Sequence, residues 1–217
     1  MRRPAYSFAS IEGRTDDRKQ LFFNYEFLIG KFNVPDKNYH IASGGVRYRF
    51  SNKLSLDLST THEAEKNYII YAGREVNGEP IIAFVDFTDI TSVLSGIYNF
   101  TPRINLTLRT RYYRSRVLYN SFANVTEDGH PVARPFIPNQ DENVNIFNLD
   151  GFLTWDFRLG SRLILGYKNW LGDDEVIDGT IYKTYLSNFG QLFNLPHGNE
   201  FTLKFIYFLD YNQLKKK

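Results

Sequence analysis

From Phe201 to Tyr211 every odd position is apolar or aromatic: Phe201, Leu203, Phe205, Tyr207, Leu209 and Tyr211. The even positions mix Thr202, Lys204, Ile206, Phe208 and Asp210. Side chains alternate faces along a β-strand, so this segment predicts a strand with one fully apolar, aromatic-ended face. In water such a strand at a sheet edge is a hazard for uncontrolled pairing. Facing lipid in a closed barrel it is not, because closure removes the edge and lipid welcomes the apolar face.

The same period of two runs through the chain. Leu21, Phe23, Tyr25, Phe27 and Ile29 oppose Asn24 and Glu26, and Val46, Tyr48 and Phe50 oppose Arg47 and Arg49. Leu54, Leu56 and Leu58 oppose Ser55, Asp57 and Ser59, and Leu106, Leu108 and Tyr112 oppose Thr107, Arg109 and Arg111. Phe147, Leu149, Leu153, Trp155 and Phe157 oppose Asn148, Asp150, Thr154 and Asp156, and Leu163, Leu165 and Tyr167 oppose Arg162 and Lys168. Thr91 to Phe100 reads as a strand with a mixed pattern, Ala5 to Ile11 is a candidate for one more, and no helical period stands out.

Connections alternate as well. Ser51-Asn52-Lys53, Thr101-Pro102-Arg103 and Leu159-Gly160-Ser161 are tight turns, whereas residues 62–89, 115–142 and 171–199 form long excursions with hairpin signals at Asn77-Gly78 and Asp128-Gly129. Short turns at one end and long connections at the other is the sidedness of outer-membrane barrels. The expected fold is therefore all-β: an antiparallel up-and-down transmembrane β-barrel in the bacterial outer membrane, one domain over residues 1–217, with 1–20 the least defined part. Eight strands could close alone. Nine would make the chain the C-terminal part of a larger barrel, and the lack of a signal peptide after Met1-Arg2-Arg3-Pro4 points the same way.

Alternation divides the side chains into two sets. Arg47, Arg49, Asp57, Arg109, Arg111, Asp150, Asp156, Lys168 and Lys204 are expected to face the lumen, plugging a narrow barrel as paired charges or lining a wider one. Tyr48, Phe50, Tyr112, Trp155, Phe157, Tyr167, Phe205, Tyr207 and Tyr211 are expected to face lipid or form interfacial girdles, with outer-membrane lipid as the partner. The aromatic content of 17% supports such girdles. A mean hydropathy of −0.38 does not argue against a barrel, whose strands hide their apolar half in alternation.

Other classes find little support. With no Cys there is no thiol nucleophile or cysteine metal site, and a formal charge of +2 gives no footprint for nucleic acid. The four histidines, His40, His62, His130 and His197, read as loop residues without metal-ligand spacing. Asp173, Asp174, Glu175 and Asp178 form an acidic stretch that matches no defined calcium loop. Gly44-Gly45 reads as a bend or bulge. A rim enzyme would draw on Ser115 or Ser121 with His62 or His130, yet nothing in the spacing selects them. No cofactor and no catalytic residue is expected. The alternatives to a membrane barrel are a soluble lipocalin-like ligand-binding barrel and a barrel-embedded lipid-modifying enzyme.

Several segments resemble one family. Arg47-Tyr48-Arg49-Phe50-Ser51-Asn52-Lys53-Leu54-Ser55-Leu56 is one, and Arg109-Thr110-Arg111-Tyr112-Tyr113 with Glu127-Asp128-Gly129 is another. Asn139 to Asp150 leading into Trp155-Asp156-Phe157-Arg158-Leu159-Gly160-Ser161 is a third, and Leu209-Asp210-Tyr211 before Lys215-Lys216-Lys217 a fourth. From about Arg47 onward the chain resembles the C-terminal barrel of a Bacteroidota outer-membrane family known as domain of unknown function 5916. Its members carry an N-terminal module resembling carbohydrate-binding family nine. The resemblance implies a non-catalytic anchor or pore tied to surface glycan binding or uptake, with glycan contacted through a module that this chain lacks. It supplies no catalytic residues.

Overall fold

The structure, a computed structural model, describes residues 5–75, 78–173 and 184–211. Ten strands form one antiparallel sheet. They are β1 (Tyr6–Arg14), β2 (Leu21–Phe32), β3 (Asn38–Arg49), β4 (Leu54–Arg74), β5 (Pro80–Thr101), β6 (Ile104–Val125), β7 (Pro131–Arg134), β8 (Glu142–Arg158), β9 (Ser161–Asp173) and β10 (His197–Ile206). A short helix, α1 (Tyr185–Gln191), and a 3-10 turn at Leu192–Asn194 precede β10. The order is a plain meander, β1-β2-β3-β4-β5-β6-β8-β9-β10, with β7 beside the upper end of β6.

Among the described residues the sheet is open: β1 pairs with β2 and β10 with β9, and no pairing joins β1 to β10. The all-β antiparallel meander is as expected, but its closure into a barrel is not present. Ala5 to Ile11 is a full strand, because the alternation there finds a partner in β2 along its whole length, from Tyr6↔Phe32 to Arg14↔Asn24. That gives nine strands in the meander instead of eight. Two of the long excursions, 62–89 and 115–142, are mostly strand: β4, β5 and β6 each run 21 or 22 residues, about 70 Å at ~3.3 Å per residue.

Register sets the two faces. One row of partners joins Leu21, Tyr48, Leu56, Gly96, Leu108, Gly151, Tyr167 and Phe201. On β2 this row is the bottom of an apolar band that continues up to Ile29, eight residues further along. On β10 it is the top of the band, which continues down to Phe205. The band therefore crosses the hydrogen-bond rows obliquely, by eight residues along its upper margin and four along its lower one. With ~3.3 Å per residue and ~4.8 Å between strands, a horizontal band implies strands tilted by roughly 20–40° from its normal.

The buried core lies elsewhere. Ile81, Ala83, Val85 and Phe122 form it, with Ile70, Ala72, Val117, Tyr119 and Ile137 packed around them. These residues belong to the upper parts of β4, β5 and β6 and to the segment after β7, which folds back across the opposite face from the band. An Arg134–Glu75 ion pair ties that segment down, and the Tyr119 amide donates to Asp141 Oδ1 at 2.8 Å. The Tyr119 hydroxyl donates to Glu142 Oε1 at 2.8 Å, and burial, with that carboxylate, pushes it well above the ordinary tyrosine range.

Four local expectations are corrected. Gly44-Gly45 makes no bulge, since both β3 ladders run through it without a register shift. The final strand ends at Ile206, not Tyr211: the Phe208 amide donates to Ser161 Oγ at 2.9 Å, turning the chain under the β8–β9 turn. There Phe208 covers Gly160, whose φ of +75° suits a residue without a side chain. A helix exists at Tyr185–Gln191, started by a capping box in which Thr184 Oγ1 accepts from the Ser187 amide at 3.1 Å. His40 and His62 are strand residues, because β3 and β4 extend past the expected turn region, and their rings stack at 5.2 Å. The acidic stretch beyond Asp173, Asn77 and the Lys215-Lys216-Lys217 tail fall outside the described residues.

The buried core around Phe122 is where packing can be tested directly. Phe122→Ala removes a side chain that is 2% exposed and should cost about 3–5 kcal/mol locally. Amide exchange at 81–85 and 117–122 should accelerate while exchange in β2 and β3 does not change.

Candidate functional site

Opposite the apolar band, the register assembles a row that no single strand reveals. Arg47 on β3 faces Asp57 on β4, Asp57 faces Ser95, Ser95 faces Arg109, Arg109 faces Asp150, Asp150 faces Lys168, and Lys168 faces Glu200. The signs alternate across seven adjacent strands, broken only by the neutral Ser95. Cross-strand partners sit about 4.5–5.5 Å apart at Cβ, close enough for opposite charges to attract and for like charges to repel. Arg47 Nε lies 2.9 Å from Asp57 Oδ2, and Lys168 Nζ lies 3.9 Å from Glu200 Oε1. Residues of this row line a groove of about 580 Å³ with Ser55, Thr107 and Phe152.

Five of the nine residues expected to face the lumen fall in this row: Arg47, Asp57, Arg109, Asp150 and Lys168. Arg111 sits one row above, donating from Nη2 to Asn148 Oδ1 at 3.2 Å, and Arg49 one row below beside Ser55. Lys204, opposite Ile164, and Asp156, paired with Arg162 at 2.9 Å, lie near the short turns. Alternation puts all nine on one side of the sheet. Glu200 was missed by sequence reasoning, because only the β9–β10 register shows that it completes the row.

The same face is polarised along the strands. Toward the long-connection end it carries Glu12, Glu26, Glu63, Glu65, Asp89 and Glu142, with Lys37 paired to Glu65 at 3.2 Å. Tyr39 donates to Glu63 at 2.8 Å and Tyr113 to Asp89 at 3.0 Å. Toward the short-turn end cations predominate, with Arg14, Arg47, Arg49, Arg109, Arg111, Arg162, Lys168 and Lys204 against Asp57, Asp150, Asp156 and Glu200. In the β1–β2 turn a side-chain hydrogen bond from Arg18 holds the exposed Asp16 carboxyl below its usual value.

On the band side, Tyr48, Trp155, Tyr167 and Phe205 lie in register with its leucines. Phe50 packs edge-on against Tyr48 at 4.6 Å. Phe157 stacks on Phe205 at 5.6 Å, and Tyr207 extends that stack at 6.2 Å from Phe205, accepting from Arg158 Nη1 at 2.9 Å. Tyr211 is exposed beyond the strand. Tyr112 departs from the expected girdle: it is 3% exposed beneath α1, with Tyr185 and Phe189 at 4.9 and 5.3 Å. Asn188 of the same helix is fully buried, and it accepts from Asn143 and Asn145 of β8 at 2.8 and 2.7 Å.

Ser115 and His62 point to opposite faces, Ser115 beside Asp89 on the charged side and His62 in line with Ala42 on the other. Among the described residues no group of three or more His, Cys, Asp or Glu could hold a metal ion, and no helix is long and apolar enough to cross a membrane.

The row makes a measurable claim. Asp57→Lys puts a third cation between Arg47 and Arg109 and should cost about 0.5–1 kcal/mol, modest because both partners of the 47–57 pair are more than a third exposed. Adding Arg47→Asp should restore part of that loss. A urea-unfolding double-mutant cycle checks the coupling, and strictly additive effects would remove the pairing.

Comparison with known proteins gives one match. A family model described as "Domain of unknown function (DUF5916)" covers residues 1–217, which extends the resemblance seen from Arg47 onward to the first two strands. No curated protein and no solved structure matches the chain.

Proposed function

We propose, for a chain that belongs to the DUF5916 family along all of residues 1–217, that this sheet is a wall of a transmembrane β-barrel in the bacterial outer membrane, serving there as a non-catalytic anchor or pore. The observation that carries the proposal is the uncovered apolar band. Phe23, Phe27, Tyr48, Leu58, Leu94, Leu108, Trp155, Leu165 and Leu203 are 38–70% exposed, with at least one on every strand of the meander from β2 to β10. Soluble monomers rarely expose contiguous apolar patches beyond a few hundred Å². A band inclined to the hydrogen-bond rows is what tilted strands in a flat membrane require.

On this reading the row from Arg47 to Glu200 faces the lumen, and the girdle aromatics face lipid. Near-balanced signs let the charges neutralise one another where few waters could solvate them, as a structural lining needs. A lipocalin-like barrel would carry its apolar face inward, around a ligand. Here the groove side is the charged one. A glycan role would enter through a separate carbohydrate-binding module, and no residue of this sheet is assigned to one.

Two neighbouring residues test the proposal, because they point to opposite faces. Leu58→Arg places a cation in the band and should cost about 2–4 kcal/mol of folding in detergent or lipid. Ser59→Arg, on the charged face, should cost less than about 1 kcal/mol. The measurement is the compact, fast-migrating fraction of unboiled samples on a denaturing gel after refolding with and without micelles. Equal effects of the two substitutions, or full folding in plain buffer, would refute a lipid-facing band.

A further inference from the structure

At the oblique upper margin of the apolar band the outward face of the sheet turns basic. Two adjacent register rows begin in the band on β2 and pass out of it: one reads Phe27, Ala42, His62, Ile90, Arg114 and Asn145, and the next reads Ile29, His40, Ala64, Thr88, Arg116 and Asn143. From β2 to β8 neither row contains a carboxylate, and the first reaches Asp173 only on β9. At the same height the other face holds Glu63, Glu65, Asp89 and Glu142. The sheet thus separates charge by face at this one level.

We propose that the patch formed by His40, His62 and Arg116 binds the phosphate-bearing headgroup of an anionic lipid in the outer leaflet. This rests on the membrane reading above, which sets the patch at the band's upper margin, where headgroups lie. Charge complementarity selects the occupant: cations just beyond an apolar surface fit a molecule with an acyl chain below and an anion above. The stacked imidazoles of His40 and His62 offer N–H donors from β3 and β4. Arg116, two strands away at about 10 Å, supplies a guanidinium whose fork matches phosphate oxygens. Thr88 adds a hydroxyl in line with Arg116. Arg114 is 6% exposed and contributes charge from beneath without contacting the lipid.

The test uses the whole chain refolded into phosphatidylcholine vesicles, with or without about one-fifth phosphatidic acid. Wild type should associate about tenfold more with the anionic vesicles, the sign expected for basic residues at a negatively charged surface. The H40Q/H62Q/R116Q variant should lose most of that preference, while R18Q/K19Q, changed at the opposite end of the sheet, should keep it. Equal association of wild type with both vesicles overturns the headgroup site and leaves the membrane reading standing. Association with neither overturns both. If soluble glycerol phosphate at matching concentration abolishes the preference, the patch is a free-anion site and the lipid assignment falls. Retention of full preference by the triple variant overturns the residue assignment.

Discussion

The ladder of backbone hydrogen bonds between neighbouring strands is what everything else here depends on. Side chains alternate with a period of two, so a one-residue slip at any pair would move a charged row into the apolar band and leucines into the charged groove. Along the band and the charge row the register runs unbroken from β2 to β10. The shifts lie outside it: between Glu65 and Tyr68, Tyr71 and Gly73, and Phe84 and Val85 in the outer hairpins, and at Asn99/Thr101 and Trp155/Arg158 beside short turns. Irregularity is confined to the outer hairpins and the short turns, away from the apolar band and the row from Arg47 to Glu200.

This divides the molecule into two parts held together by different means. In the upper β4–β6 hairpins, Phe122 and Val85 are shielded by other parts of the same chain, as in any water-soluble domain. Lower down, among the described residues, a single layer leaves Leu58 46% and Leu203 70% exposed. The first part has its apolar partner built in. The second depends on its surroundings for one, and the open edges at β1 and β10 add to that dependence.

What was legible in the sequence was whatever one strand displays by itself. The opposition of Leu56 to Asp57, the tight turn at Pro102-Arg103 and the strand character of Ala5 to Ile11 are written locally, in alternation and turn chemistry. Properties that arise between strands were not. Glu200 looks like any polar residue before a strand until it is set opposite Lys168. Tyr112 carries a girdle-like signature, and only the tertiary placement of α1 buries it. That helix had a readable start in Thr184 and Ser187, with Tyr185, Asn188, Phe189 and Leu192 at helical spacing, but seven residues are too few for the period to compete with surrounding alternation. His40 and His62 read as loop residues because nothing in the alternation marks how far β3 and β4 continue past the apolar band.

The uneven placement of carboxylates and guanidiniums along the inner face gives the wall a direction. Because Glu63 and Asp89 stand toward one end and Arg109 and Arg111 toward the other, the face carries a standing electric field along the strands, even though the row from Arg47 to Glu200 is itself close to neutral. A solute with separated charges moving along it would be turned, amine toward the carboxylate end and acid toward the guanidinium end. The two ends of the face are thus inequivalent to such a solute with no moving part, distinguished only by the order in which the side chains are met.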